Sequence, residues 1–276
     1  MKFKSESMNL KIKDAVGYLT FKGLEKYSCI NHAFSTRLGG VSKDEFKSMN
    51  LSFKCNDKRE NVVENYKLFS KAAGFDYNSL TAAHQSHTCN VRVVTKKDAG
   101  RGICKPQDVF DIDALVTNET GVTLVTFHAD CSPVYFLDPD KKVIGLAHAG
   151  WRGTVNGIAK SVVEKMKEEY GCKPQNIVCA VGPTIEKCCF EVGEEVYNCF
   201  KNVDADNTDK VAFKTSDNKF YANILETNKQ ILISQGVLEE NIFISDLCTK
   251  CNCDLLISHR ATAGKRGVMA AMMCLK

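Results

Sequence analysis

Apolar runs of strand length recur through the middle of the chain: DALVT (113–117), GVTLVTFHAD (121–130), PVYFLD (133–138) and KVIGLAHAG (142–150). Each is β-branched or apolar and ends in polar or glycine-containing residues, the pattern of buried strands. Two stretches carry the helical period instead. KRENVVENYKLFSKAAG (58–74) reads as an amphipathic helix stopped by Gly74. TVNGIAKSVVEKMKEEYG (154–171) places Val155, Ile158, Val162 and Met166 on one face, with Gly171 as its stop. HAFSTRLGGVS (32–42) reads as a strand running into a Gly-Gly turn. NIVCAVG (176–182) reads as a strand, GEEVYNCF (193–200) and YANILETNKQILISQG (221–236) as helices, and short strands follow. This alternation predicts an α/β fold, a single layered domain over residues 1–276 with mixed sheets flanked by helices. No linker, low-complexity tract or repeat interrupts it.

Composition narrows the class. Of 276 residues, 44% are hydrophobic and 25% charged, the balance of a soluble protein with a sizeable core. The formal charge of +4 is spread as lysines beside Asp or Glu, as in KDEFK and NDKRE, which argues against nucleic-acid binding. MKFKSESMNLKIK at the start has no apolar stretch long enough for a signal peptide or membrane span, so a cytoplasmic location is expected. Fourteen cysteines spread over such a chain then read as reduced thiols, mostly small buried hydrophobes.

Position must therefore pick out the functional thiols. In TFHADCSPVYFLDP (126–139) a polar turn separates two apolar strands and puts Cys131 at a strand end. GLAHAGWRGT (145–154) ends a strand at His148 and passes through Trp151 and Arg152 into a helix, whose N-terminal N–H groups favour an anion. If HQSHTCNVRVV (84–94) is a strand, His84 and His87 point to opposite faces, and either one is available as a ligand. Imidazole nitrogen and thiolate sulfur suit Zn²⁺, and three protein ligands leave a fourth position open, as catalytic zinc requires. Arginine is sparse, seven residues in all, and Arg37 and Arg152 are the phosphate candidates because a guanidinium grips an anion in two places.

HAFSTRLGGVS, QSH (85–87), TFHADCSPVYFLDP, AHAGWRGT and GPTIEKCCFEVGEEV resemble, in order, the motifs of the laccase-domain family, once called multicopper polyphenol oxidases and now regarded as purine nucleoside phosphorylases. The resemblance runs from about residue 15 onward. It implies a zinc held by His87, Cys131 and His148, which selects His87 over His84. It also implies phosphorolysis of adenosine, inosine and methylthioadenosine, adenosine deamination, and a layered α/β fold. The partners are then a small nucleoside and phosphate, and the tail SHRATAGKRG departs from the paired arginines usual in the family.

On this reading Arg37 and Arg152 hold phosphate, Trp151 forms an apolar or stacking wall, and Asp130 or Glu186 shuttles protons during deamination. Three rival readings use the same residues: a metal-free hydrolase with Cys131 as nucleophile and His148 as base, a copper phenol oxidase, and a non-catalytic binder of purines or cell-wall precursors. The oxidase needs more copper ligands than the remaining histidines supply. Cys188 and Cys189 read as packed thiols. Cys248, Cys251 and Cys253 read as structural or incidental thiols, since no fourth ligand can be assigned to them.

Overall fold

The structure, a computed structural model, describes residues 3–203 and 208–276; Met1 and Lys2 of the opening segment and residues 204–207 lie outside it. Two six-stranded mixed sheets stack face to face. The first runs, in spatial order, Met8–Lys13, Val16–Phe21, Ile30–Ser35, Met269–Leu275, Thr123–His128 and Leu80–Ala82. The second runs Ile242–Ile244, Val178–Val181, Ser132–Asp138, Val143–Ala149, Ala114–Thr117 and Val91–Val93. Helix Arg59–Ala73 covers the outer face of the first sheet, and helices Ile158–Tyr170 and Ile224–Ser234 cover that of the second.

This layering explains why the central strands are apolar at nearly every position. In Ser132–Asp138, Tyr135 and Leu137 face the seam between the sheets while Val134 and Phe136 face the helices. Met269–Leu275 divides likewise: Met269, Ala271 and Met273 face the seam, and Ala270 and Met272 face helix Arg59–Ala73. Strands buried on both faces have no polar face to show.

Most expected elements form, with three differences. The helix expected from 154 to 171 is two helices, Trp151–Val155 and Ile158–Tyr170, because Gly157 adopts a left-handed conformation at φ +85° and breaks the run. The segment expected as a strand over 84–94 is strand only at Val91–Val93. A third, small sheet of Glu191–Val192, Phe220–Ala222 and Ala212–Lys214 was not anticipated from the alternation. Among the described residues no helix is long and apolar enough to cross a membrane.

One polar group sits deep in the first sheet. His32 is 5% exposed, and its Nε2 accepts the Phe21 N–H at 2.9 Å. Burial outweighs the pull of Glu25 and lowers its pKa from 6.5 to about 4, so the folded chain holds it neutral. The unfolded chain protonates it near pH 6.5. Its contribution to stability is therefore complete above that pH and is lost as pH falls through 4, an effect on the order of 3 kcal/mol. Urea unfolding at pH 7 and pH 4 is expected to show a loss about 2–3 kcal/mol larger in the wild type than in His32→Gln, which keeps an acceptor without the titration. Equal losses would contradict the assignment.

Candidate functional site

Antiparallel pairing sets the first two site residues side by side. Ser132–Asp138 pairs with Val143–Ala149 in a register that puts Pro133 opposite His148, so Cys131, one residue before its strand, lies next to that imidazole. Asp130, at φ +80°, makes the sharp turn that leads into Cys131. His87 arrives on a loop and is itself left-handed at φ +65°. Gln85 docks that loop: its amide donates to the Phe127 carbonyl at 3.0 Å and accepts the Phe127 N–H at 2.7 Å, acting as one more strand partner beside Thr123–His128.

The ligand atoms of His87, Cys131 and His148 all lie within 4.8 Å of one another, and His87 Nε2 is 3.9 Å from Cys131 Sγ. Asp113, immediately before strand Ala114–Thr117, organises them. Its Oδ1 accepts from His148 Nδ1 at 2.8 Å and from the His87 N–H at 3.0 Å. Its Oδ2 accepts the Ser86 N–H at 3.1 Å, the Thr88 N–H at 2.8 Å and the Thr88 hydroxyl at 2.9 Å. Burial raises the Asp113 pKa, but these bonds, His148 foremost, outweigh it and keep the carboxylate ionised. With Nδ1 donating to Asp113, His148 presents Nε2 to the site, the carboxylate–histidine arrangement typical behind metal ligands.

The remaining electrostatics are mutual. Burial raises the Cys131 thiol, but the facing His148 charge and the hydrogen bonds from both histidines bring it below its ordinary value. Burial likewise lowers His148, and the Cys131 thiolate and Asp113 reverse that shift upward. His128 backs the site without joining it. Its ring nitrogens pair with Thr126 Oγ1 at 2.7 Å and the Cys131 carbonyl at 3.1 Å, and burial keeps it neutral.

Two nitrogens and one sulfur fit a borderline-soft divalent ion with an open position. Gly150 supplies the space: a Cβ there would lie 2.7 Å from His87 Cδ2 and 3.1 Å from Cys131 Sγ. The three residues open into a cavity of about 750 Å³, the size of a small-molecule site. Phe46, Phe53, Phe110 and Phe127 supply apolar lining, while Lys54, Lys265 and Arg266 bring positive charge and His259 adds a polar ring. The rings of His84 and Phe110 sit 5.4 Å apart on the same wall. His84 and His87 thus line one cavity. They do not point to opposite faces, because this segment is loop where strand alternation does not apply.

Other expected residues lie elsewhere. Arg37, Arg152, Trp151, Asp130 and Glu186 do not line this cavity. The Asp130 carboxylate accepts the Thr249 hydroxyl at 2.6 Å and the Arg260 N–H at 2.7 Å. Arg152 stacks on Trp151, 4.2 Å from the ring centroid, in the five-residue helix Trp151–Val155, away from the cavity that holds the three ligand residues. Trp151 lines a second cavity with Arg260. The Glu186 Oε1 is buried without a hydrogen-bond partner, and burial raises its pKa. Conversely, Arg266 and His259 of the divergent tail stand on the main cavity wall, joined by Arg266 Nε donating to His259 Nδ1 at 3.3 Å.

Known proteins share this architecture. The crystal structure of YlmD from Geobacillus stearothermophilus superimposes with a TM-score of 0.90 at 31% identity, covering 97% of this chain and 98% of that one. The purine nucleoside phosphorylase YlmD of Bacillus subtilis (strain 168) is 34% identical over 244 residues, which is 88% of this chain and 87% of the relative. The adenosine deaminase RL5, from an unknown prokaryotic organism, is 32% identical over 230 residues, 83% of this chain and 87% of the relative. The family model described as multi-copper polyphenol oxidoreductase laccase matches residues 31–276, and the chain belongs to that family.

Proposed function

We propose that this chain is a zinc-dependent purine nucleoside phosphorylase of the cytoplasm, acting on adenosine, inosine and methylthioadenosine and also deaminating adenosine. The observation that carries the reading is the convergence of His87, Cys131 and His148 in a cavity lined by both aromatic and cationic side chains. Relatives named for each activity support it.

A zinc ion held by His87, Cys131 and His148 supplies Lewis acidity at the reacting end of the cavity. Asp113 fixes the His148 ring and, through the Ser86, His87 and Thr88 N–H groups, the loop bearing His87. The flat purine stacks on the Phe110 ring, which is exposed in the cavity and backed by His84, where a π face is the matching surface. Phosphate, a dianion, is held by Arg266, Lys265 and Lys54; this assigns to the cavity wall the role expected of Arg37 and Arg152. Asp130 acts by position, tying the turn that carries Cys131 to Thr249 and Arg260. A second reading, Cys131 as nucleophile paired with His148 and no metal, is favoured by the lowered thiol and raised imidazole.

Adenosine incubated with phosphate and resolved by chromatography is expected to yield adenine and ribose-1-phosphate, and inosine alone when phosphate is omitted. A chelator is expected to abolish both phosphorolysis and deamination. Activity that survives the chelator and dies with thiol alkylation favours the nucleophile reading, and ribose-1-phosphate formation by His148→Ala sinks the metal reading. Asp113→Asn is expected to weaken zinc binding by about 10–100-fold in competition with a chromophoric chelator. An unchanged affinity removes Asp113 from its role. Arg266→Ala should raise KM for phosphate by about tenfold, the equivalent of one charge-assisted hydrogen bond, with KM for nucleoside little altered. The reverse pattern would place phosphate elsewhere.

A further inference from the structure

Two cysteine segments that sequence spacing treats as unrelated meet in the fold. Strands Val178–Val181 and Ile242–Ile244 run parallel and adjacent, and the loops leaving them stay together through the bridge between Thr184 and Cys248. Their thiols then converge. The sulfurs of Cys188, Cys189, Cys248 and Cys251 all lie within 4.8 Å of one another, with Cys251 Sγ 3.4 Å from Cys189 Sγ and 3.7 Å from Cys188 Sγ.

These separations discriminate between fates for the thiols. A disulfide requires about 2.0 Å between sulfurs. A tetrahedron of sulfurs about 2.3 Å from a central Zn²⁺ has edges of about 3.8 Å. The separations of 3.4 and 3.7 Å from Cys251 Sγ are near the second spacing and far from the first, and no pair of the four is more than 4.8 Å apart. Cys248 and Cys251 form a C-x-x-C pair, the usual half of a structural zinc site, and the Glu186 backbone N–H donates to Cys248 Sγ at 3.5 Å, as it would to a thiolate ligand. Cys188 and Cys189 supply the other two ligands, which the CTKCNC segment lacks on its own.

We propose that Cys188, Cys189, Cys248 and Cys251 form a second metal site, a four-thiolate structural centre for a soft divalent cation, Zn²⁺ foremost. Binding replaces four S–H bonds by four metal–sulfur bonds and releases the protons to solvent, with no change of oxidation state. Four protein ligands leave no open position, so the ion staples loops and binds no substrate. The stapled loops matter to the first site. Thr184 donates through its hydroxyl to the Asp130 carbonyl, and Thr249, between the two cysteines of the C-x-x-C pair, donates to the Asp130 carboxylate beside Cys131. The inference is independent of which reaction the first site performs.

The test uses the whole chain, reduced and kept anaerobic, loaded with Zn²⁺ alone and freed of excess by gel filtration. The wild type is expected to retain about two zinc ions per chain. Cys131→Ser should retain one, whose X-ray absorption shows four sulfurs at about 2.3 Å and no imidazole. Cys251→Ser should lose that ion and keep the other. Zinc absent from Cys131→Ser, or bound there through nitrogen, overturns the proposal. Should Cys251→Ser fail to fold, alkylation mapped by mass spectrometry on the wild type decides. Zinc is expected to slow modification of Cys188, Cys189 and Cys251 at least tenfold while exposed Cys199 and Cys253 react unchanged. Equal rates with and without zinc, or a disulfide between Cys189 and Cys251 that persists after reduction, overturns it.

Discussion

The site depends on one buried carboxylate. Asp113 receives five hydrogen bonds, from the His148 imidazole, three successive backbone N–H groups and the Thr88 hydroxyl. A carboxylate so placed cannot be protonated or removed without orphaning several donors at once, each costing about 1–3 kcal/mol. The same group therefore sets the tautomer of one proposed ligand and the backbone of another. It makes a loop as exact as a strand, which matters because His87 has no sheet of its own to hold it.

The stacked sheets supply the rest of that rigidity. Cys131 and His148 sit at the ends of two strands buried on both faces, so neither can shift without disturbing the seam on one side and the helices on the other. Gly150 keeps the point of convergence open, and Gln85 clamps the incoming loop to strand Thr123–His128. Rigid strands bring the chemistry together and loops line the cavity around it, the usual division between scaffold and function.

What was legible in the sequence follows the range over which each signal acts. The helix over Arg59–Ala73 and the strands carrying Cys131 and His148 were readable because periodicity and turn residues are local. The choice of His87 over His84 came from family motifs; strand alternation was the wrong tool for a loop, and both residues line the cavity. Asp113 carried no visible mark, being one acid before an apolar run, and its importance lies in contacts 35 residues away with His148. No motif marks Arg266 and His259, because the tail departs from the family pattern, yet the fold sets both on the cavity wall. The four-cysteine cluster is invisible in sequence for the same reason as Asp113: its halves, Cys188–Cys189 and Cys248–Cys251, are far apart along the chain, and only the parallel pairing of two short strands joins them.

The position of strand Met269–Leu275 has a consequence for how the chain is made. It lies in the interior of the first sheet, pairing with Ile30–Ser35 on one side and Thr123–His128 on the other, and it lines the seam. A ribosome must therefore deliver residue 275 before that sheet can close, whereas every strand of the second sheet has emerged by residue 244. Until then the seam lacks Met269, Ala271 and Met273, and apolar surface left open in an incomplete chain favours aggregation. Closure of the first sheet thus waits on a strand at its interior, made after both of the strands it joins.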